Sequence, residues 1–242
     1  MLKKIMILGM LISGIIFGQD VETILKKVDK NSKFKTSQME TTMKIIKKGK
    51  VLSEMKMMGY TKEAGNNDKQ LMRFTYPARL NGTAILSKDG KVWYYNKRSN
   101  RVRLLSKSAK KGSMMGTGMS YDDMSLDYIK DFDSEILEEK KDYYLIKMTP
   151  KDSDKNYKYL VVKVKKDKMV EDKIEYYNKS DNKYKELVLY DYKKIGDKWV
   201  SLTVKIDDFS TGKTTEMETN QSTIKYDMDL KDSVFSERNL KK

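Results

Sequence analysis

The 242-residue chain carries 50 Lys and Arg against 35 Asp and Glu, a formal net charge of +15, and contains neither cysteine nor histidine. Those two absences exclude a disulfide framework, thiolate chemistry, a Cys or His metal site and the commonest general base. A catalyst built from this chain would need a carboxylate pair or a Ser–Lys arrangement.

Lys3 and Lys4 precede an apolar run from Ile5 to Phe17 that only Gly and Ser interrupt, and small Gly18 follows. This pattern predicts a cleavable export signal over residues 1–18, with an uncleaved N-terminal anchor as the alternative. The run is shorter than the roughly 20 residues a membrane span needs, and no Cys follows it to receive lipid. Residues 1–18 hold two lysines and no acid, so their removal takes the net charge from +15 to +13. Residues 19–242 read as one domain, because no Gly/Ser/Pro linker or change of composition divides them.

Val21, Ile24, Leu25 and Val28 follow a helical spacing over Asp20 to Lys33, with Asp20 as N-cap. The period then changes to two. Met39, Thr41, Met43 and Ile45 share one strand face, KKGK turns the chain, and Val51, Met55, Met57 and Gly59 continue that parity on the return. After a turn at Gly65 to Asp68, four strands are expected at Leu71–Pro77, Gly82–Ser87, Lys91–Asn96 and Arg101–Ser106. Lys107 to Ser120 has glycines at 112, 116 and 118 and no regular period. It reads as a flexible flap that adds little to folding stability. Ser120 and Asp123 form a capping-box pattern ahead of a short helix carrying Met124, Tyr128 and Ile129. Further hairpins run to the C-terminus, with the cleanest alternation from Val200 to Ile206, and Asp232 to Leu240 ends the chain as a short helix or turn.

Eleven to thirteen strands in sequence-adjacent antiparallel order must curl or close. The fold class is therefore mainly β: a single incomplete antiparallel barrel of about 11 strands, with helices covering its concave face. Met39, Met43, Met55, Met57, Met72 and Phe74 are candidates to line that face, with Trp93, Tyr95 and Leu104 from the following strands. Met114, Met115 and Met119 would close over them from the flap. Methionine adapts to variable apolar shapes; ordinary core filling is the competing reading for the strand positions.

Other motifs carry less. Gly212-Lys-Thr214 lacks the upstream glycine of a phosphate loop, where Asp207 stands, and reads as a hairpin turn. Ser108-Ala-Lys-Lys111 lacks the partner motifs of a serine acyl enzyme. Asp227, Asp229 and Asp232 do not meet a calcium-loop pattern. No metal and no cofactor are expected. The lysines are spread along the chain, so nucleic-acid binding should be weak and unselective; an anionic lipid surface suits an exported basic protein better.

Taken together, Arg73-Phe-x-x-Pro77, Gly82-Thr-Ala-x-Leu86, Trp93-Tyr-Tyr95, Arg101-Val-Arg103, the run GSMMGTGMSYDDM from Gly112 to Met124 and the C-terminal Asp232 to Leu240 resemble the outer membrane lipoprotein-sorting family of LolA-like carriers. More narrowly, they resemble a branch of it with spirochaete members. The resemblance implies a monomeric, non-enzymatic periplasmic carrier whose apolar cavity shields the acyl chains of lipoprotein or other lipid cargo. It also implies an inner-membrane transporter as donor, an outer-membrane acceptor and an association with exporters of the resistance-nodulation-division type. The alternatives are an exported surface or adhesive protein on the same scaffold, an accessory lipid-binding subunit of such an exporter, and a hydrolase acting through Ser108 or a carboxylate pair.

Overall fold

The computed structural model describes residues 20–64, 68–125 and 127–242, without the side chains of residues 124 and 125. The expected export signal and most of the turn at Gly65 to Asp68 lie outside the described residues. Helix α1 (Val21–Ser32) starts where Asp20 accepts a 2.8 Å hydrogen bond from the Thr23 amide, satisfying one of the free N–H groups of the first turn.

Six strands follow: β1 (Thr36–Lys47), β2 (Lys50–Lys62), β3 (Lys69–Tyr76), β4 (Ala84–Lys88), β5 (Lys91–Asn96) and β6 (Arg101–Leu104). A one-turn helix α2 (Lys107–Lys110) leads into the crossing segment. The second series is β7 (Phe132–Glu139), β8 (Tyr143–Pro150), β9 (Tyr159–Lys165), β10 (Val170–Tyr177), β11 (Lys183–Ile195), β12 (Lys198–Asp208) and β13 (Lys213–Thr219). Two-residue β14 (Lys225–Tyr226) pairs with β1.

The sheet order is β6-β5-β4-β3-β2-β1-β13-β12-β11-β10-β9-β8-β7, antiparallel throughout. Two meanders are thus joined through the pairing of β1 with β13, and among the described residues β6 and β7 are the edges. The sheet is mainly-β and unclosed, as expected. Among the described residues it has 14 strands, more than the expected count of about 11.

Cross-strand partners point the same way, so the registers trace a single face. It runs Ile45–Thr215–Ile206–Leu187–Ile174–Val162–Ile146–Ile136 across β1 and β13 to β7. In the other direction it continues through Met43–Met55, Met57–Phe74 and Met72–Ile85–Tyr94. Ile24, Leu25 and Val28 of α1 pack on one half of this face, against Ile146, Val162 and Ile174. Residues 105–121 cover the other half.

On the opposite face, Leu230, Phe235 and Leu240 of the C-terminal segment pack on Leu71, Leu86 and Tyr95. The Arg73 guanidinium fastens this segment by donating to the backbone oxygens of Asn239, Leu240 and Lys242 at 2.6, 3.2 and 2.8 Å. Among the described residues no helix is long and apolar enough to cross a membrane.

Candidate functional site

Met43, Met55, Met57, Phe74, Ile85 and Val92 form a buried apolar floor across β1 to β5, with Met72 and Tyr94 partly buried at its margin. Over it lies the crossing segment, and this segment is not the unstructured flap its composition predicts. Ser106 caps α2, Ser113 and Ser120 form a β-bridge, and the Met114 amide donates to the Met119 carbonyl at 2.7 Å. Met115, Gly116 and Gly118 take the left-handed conformation that lets the chain reverse here. Met114 is driven onto the floor and keeps 1% of its surface exposed; Met115 and Met119 pack against the same cluster. The segment is a plug.

Polar side chains of the sheet hold the plug. Thr215 on β13 donates to the Thr117 carbonyl at 2.9 Å. Lys185 on β11 shares the inward face of Tyr176 and is 6% exposed. Its ammonium lies 3.8 Å from the Tyr176 ring centroid, donates to the Gly118 carbonyl at 3.1 Å and pairs with Asp123 at 3.4 Å. Asp123 in turn forms the reciprocal capping box with Ser120, at 2.9 and 3.2 Å. The helix it starts is a short 3-10 turn, Tyr121–Ser125; Tyr128 and Ile129 lie beyond it, packed near α1. Asp122 bridges Lys110 and Lys155, each at 3.3 Å.

Lys185, Asp123, Thr117 and Thr215 were not among the sequence candidates. One signal could have shown Lys185: it shares the parity of Leu187 and Leu189, so a charge directly adjoins the apolar stretch of that face.

The other candidates divide. Met39 keeps the parity of Met43 but lines a separate cleft of about 210 Å³ beside the end of α1, with Phe34, Thr61, Gln70 and Val200. Trp93 and Tyr95 face the C-terminal segment, so they do not line the methionine floor. Leu104, paired with Trp93, shares that side and is 56% exposed. Alternation makes Val92 and Tyr94 the inward residues of β5. Val51 also leaves the expected face, because a register shift after Ile45 pairs it with Ile46 and leaves it exposed.

Beneath α1, burial pushes the Glu171 carboxyl from 4.5 up to about 7, with Asp29 adding to the rise and Lys33 opposing it. The folded state therefore binds more protons than the unfolded state between about pH 4.5 and 7, and stability falls as pH rises through that window. Glu171→Gln is expected to flatten this fall and to stabilise the protein at neutral pH by about 2 kcal/mol, since the side chain retains some contact with water. Urea midpoints of both proteins from pH 4.5 to 8 check it; parallel curves would contradict it. Tyr192 donates to the Glu171 backbone carbonyl, a contact the substitution keeps.

Among the described residues no group of three or more acidic side chains is placed to hold a metal. Ser108 is exposed, and its hydroxyl meets the Ser106 hydroxyl at 3.1 Å. The chemistry available at the site is apolar burial under a polar fastening.

A family model described as "Uncharacterized protein"-like matches residues 66–242. No curated protein matches the chain. Among solved structures, a domain from Vibrio parahaemolyticus described as an outer membrane lipoprotein-sorting protein is 26% identical, with a TM-score of 0.84 over 91% of this chain and 98% of that one. A DUF1329 family protein from Desulfovibrio piger is 27% identical, with a TM-score of 0.84 over 90% and 97%. A LolA superfamily protein from Nitrosomonas europaea shares the fold at 20% identity and a TM-score of 0.75, over 90% and 98%. The chain belongs to the family whose model matches residues 66–242, and it shares the fold of the LolA superfamily structure.

Proposed function

We propose that the protein is a non-enzymatic carrier that holds the acyl chains of lipoproteins or other lipids on the floor now covered by the methionine plug. The observation that carries this reading is a continuous apolar floor whose cover is fastened to the sheet by hydrogen bonds and ion pairs. Such a cover can be exchanged for another apolar occupant without breaking the sheet. In this reading the protein is exported and works in the periplasm. Cargo passes from an inner-membrane transporter to an outer-membrane acceptor that offers a better-packed site, so release needs no covalent step.

Exchange sets a length requirement. Met114, buried, is worth about 3 kcal/mol, Met115 and Met119, partly buried, about 1 kcal/mol each, and a buried methylene about 0.8 kcal/mol. A chain of about six methylenes is then needed to match the plug before any ordering cost is met. The test is native mass spectrometry of the purified protein for bound phospholipid or lipopeptide, followed by a series of fluorescent acyl probes of rising length. Bound lipid and a threshold near that length are expected; no bound lipid and no dependence on length would overturn the reading.

A further inference from the structure

The hairpin between β1 and β2 is short and stiff. Lys47 pairs with Lys50, and the two residues between them, Lys48 and Gly49, both have positive φ, at 50° and 73°, the tight turn that matches strand twist. Just past it, Val51 and Leu52 are 57% and 56% exposed. Lys47 also pairs across the sheet with Lys213, which sets the β12–β13 hairpin beside the first. That hairpin presents Phe209, 52% exposed.

Two neighbouring tips thus carry three large apolar side chains among four lysines, and none of these lysines forms an ion pair among the described residues. No acid occurs in residues 47–53 or 209–214. Carboxylates close to the tips are engaged: Asp207 pairs with Lys205 at 2.9 Å and accepts from Thr214, Asp208 caps the turn through the Ser210 and Thr211 amides, and Glu175 and Glu186 hold Lys183, whose ammonium lies 5.7 Å from the Phe209 ring centroid. Glu54 stands further along β2, opposite Lys44.

We infer that these paired hairpin tips dock the protein on an anionic phospholipid bilayer. Exposed apolar side chains singly need no explanation. Apolar and aromatic tips ringed by unpaired lysines fit the boundary between acyl chains and negatively charged headgroups. The plug turn lies directly beneath: Thr117 is held by Thr215, two residues from Lys213, and a Cβ on Gly116 would meet the Ile45 side chain at 3.9 Å. Docking here sets the plug next to the lipid surface. The inference stands on the tips alone and does not depend on the carrier reading.

The test is co-sedimentation of the chain from Gln19 onward, which holds every described element, with phosphatidylcholine vesicles with and without phosphatidylglycerol. Binding to the phosphatidylglycerol vesicles alone, reduced by added salt, is expected. Reversing Lys47, Lys48, Lys50 and Lys213 to Glu should weaken it by at least about tenfold. Val51→Ser, Leu52→Ser and Phe209→Ser combined should do the same by about tenfold with an unchanged thermal melt, because those side chains are already exposed. Reversing four exposed lysines elsewhere, Lys91, Lys141, Lys194 and Lys225, should have a far smaller effect. No vesicle binding, equal binding to neutral vesicles, or equal loss in the control reversal would overturn the inference. So would a triple Ser variant that binds normally while a polyaspartate competitor removes the protein, which would make the tips a site for an acidic macromolecule. Acyl-probe binding without vesicles should be unchanged in every tip variant; its absence in the parent protein would count against the carrier reading and not against docking.

Discussion

Replacing Lys185 by Met is expected to lower the unfolding free energy by about 3 kcal/mol, more than most single substitutions. The aliphatic stem is kept, so the loss comes from the ammonium. Without it Asp123 stays buried and charged, the Gly118 carbonyl loses its donor, and the Tyr176 face loses its cation. Adding Asp123→Asn should recover part of the loss, because the uncompensated charge is gone while the amide oxygen can still accept from the Ser120 amide. Urea unfolding of the two single variants and the pair checks both parts. Additive losses would show that the two side chains act independently and that no fastening runs between them.

Met114→Ser is the second large effect. The glycine-rich composition of its segment predicts that such a change leaves stability alone, but Met114 is almost fully buried on the floor with Met43, Met55 and Phe74. Truncation opens a cavity there and buries a hydroxyl, and about 3 kcal/mol should be lost. Met115→Ser and Met119→Ser, only partly buried, should cost about 1 kcal/mol each. The carrier reading adds an opposite sign on binding. A weaker plug is a weaker competitor, so long acyl probes should bind Met114→Ser more tightly than the parent as long as the sheet stays folded. Calorimetry for the melt and fluorescence titration for the probe separate the two consequences.

Much of the sheet can be read from residues such as Val200 to Ile206, whose inward and outward side chains alternate without a break. So can α1, from Ile24, Leu25 and Val28 and the Asp20 cap. The central pairing cannot, because it joins positions as distant as Thr41 and Thr219, 178 residues apart, and no local pattern carries that register. β6 and β14, four and two residues long, are too short to show a period. In Trp93-Tyr94-Tyr95 three aromatics in a row leave the inward residue undetermined; the C-terminal segment decides it by covering Trp93 and Tyr95. The plug was recognisable as a methionine-bearing cover, but its order comes from Lys185 and Thr215, which its own composition does not reveal.

In the proposed function, acyl chain and plug compete for one floor. A Cβ built on Gly118 falls 3.5 Å from the Asp208 Cβ, within the span a disulfide bridges, and the protein has no other cysteine to interfere. Gly118→Cys with Asp208→Cys therefore allows the plug to be locked by oxidation and freed by reduction. The left-handed backbone at residue 118 strains both forms alike. The oxidised protein should lose long-chain acyl-probe binding, and a reductant should restore it in the same sample; equal binding by the oxidised and reduced forms would contradict the claim.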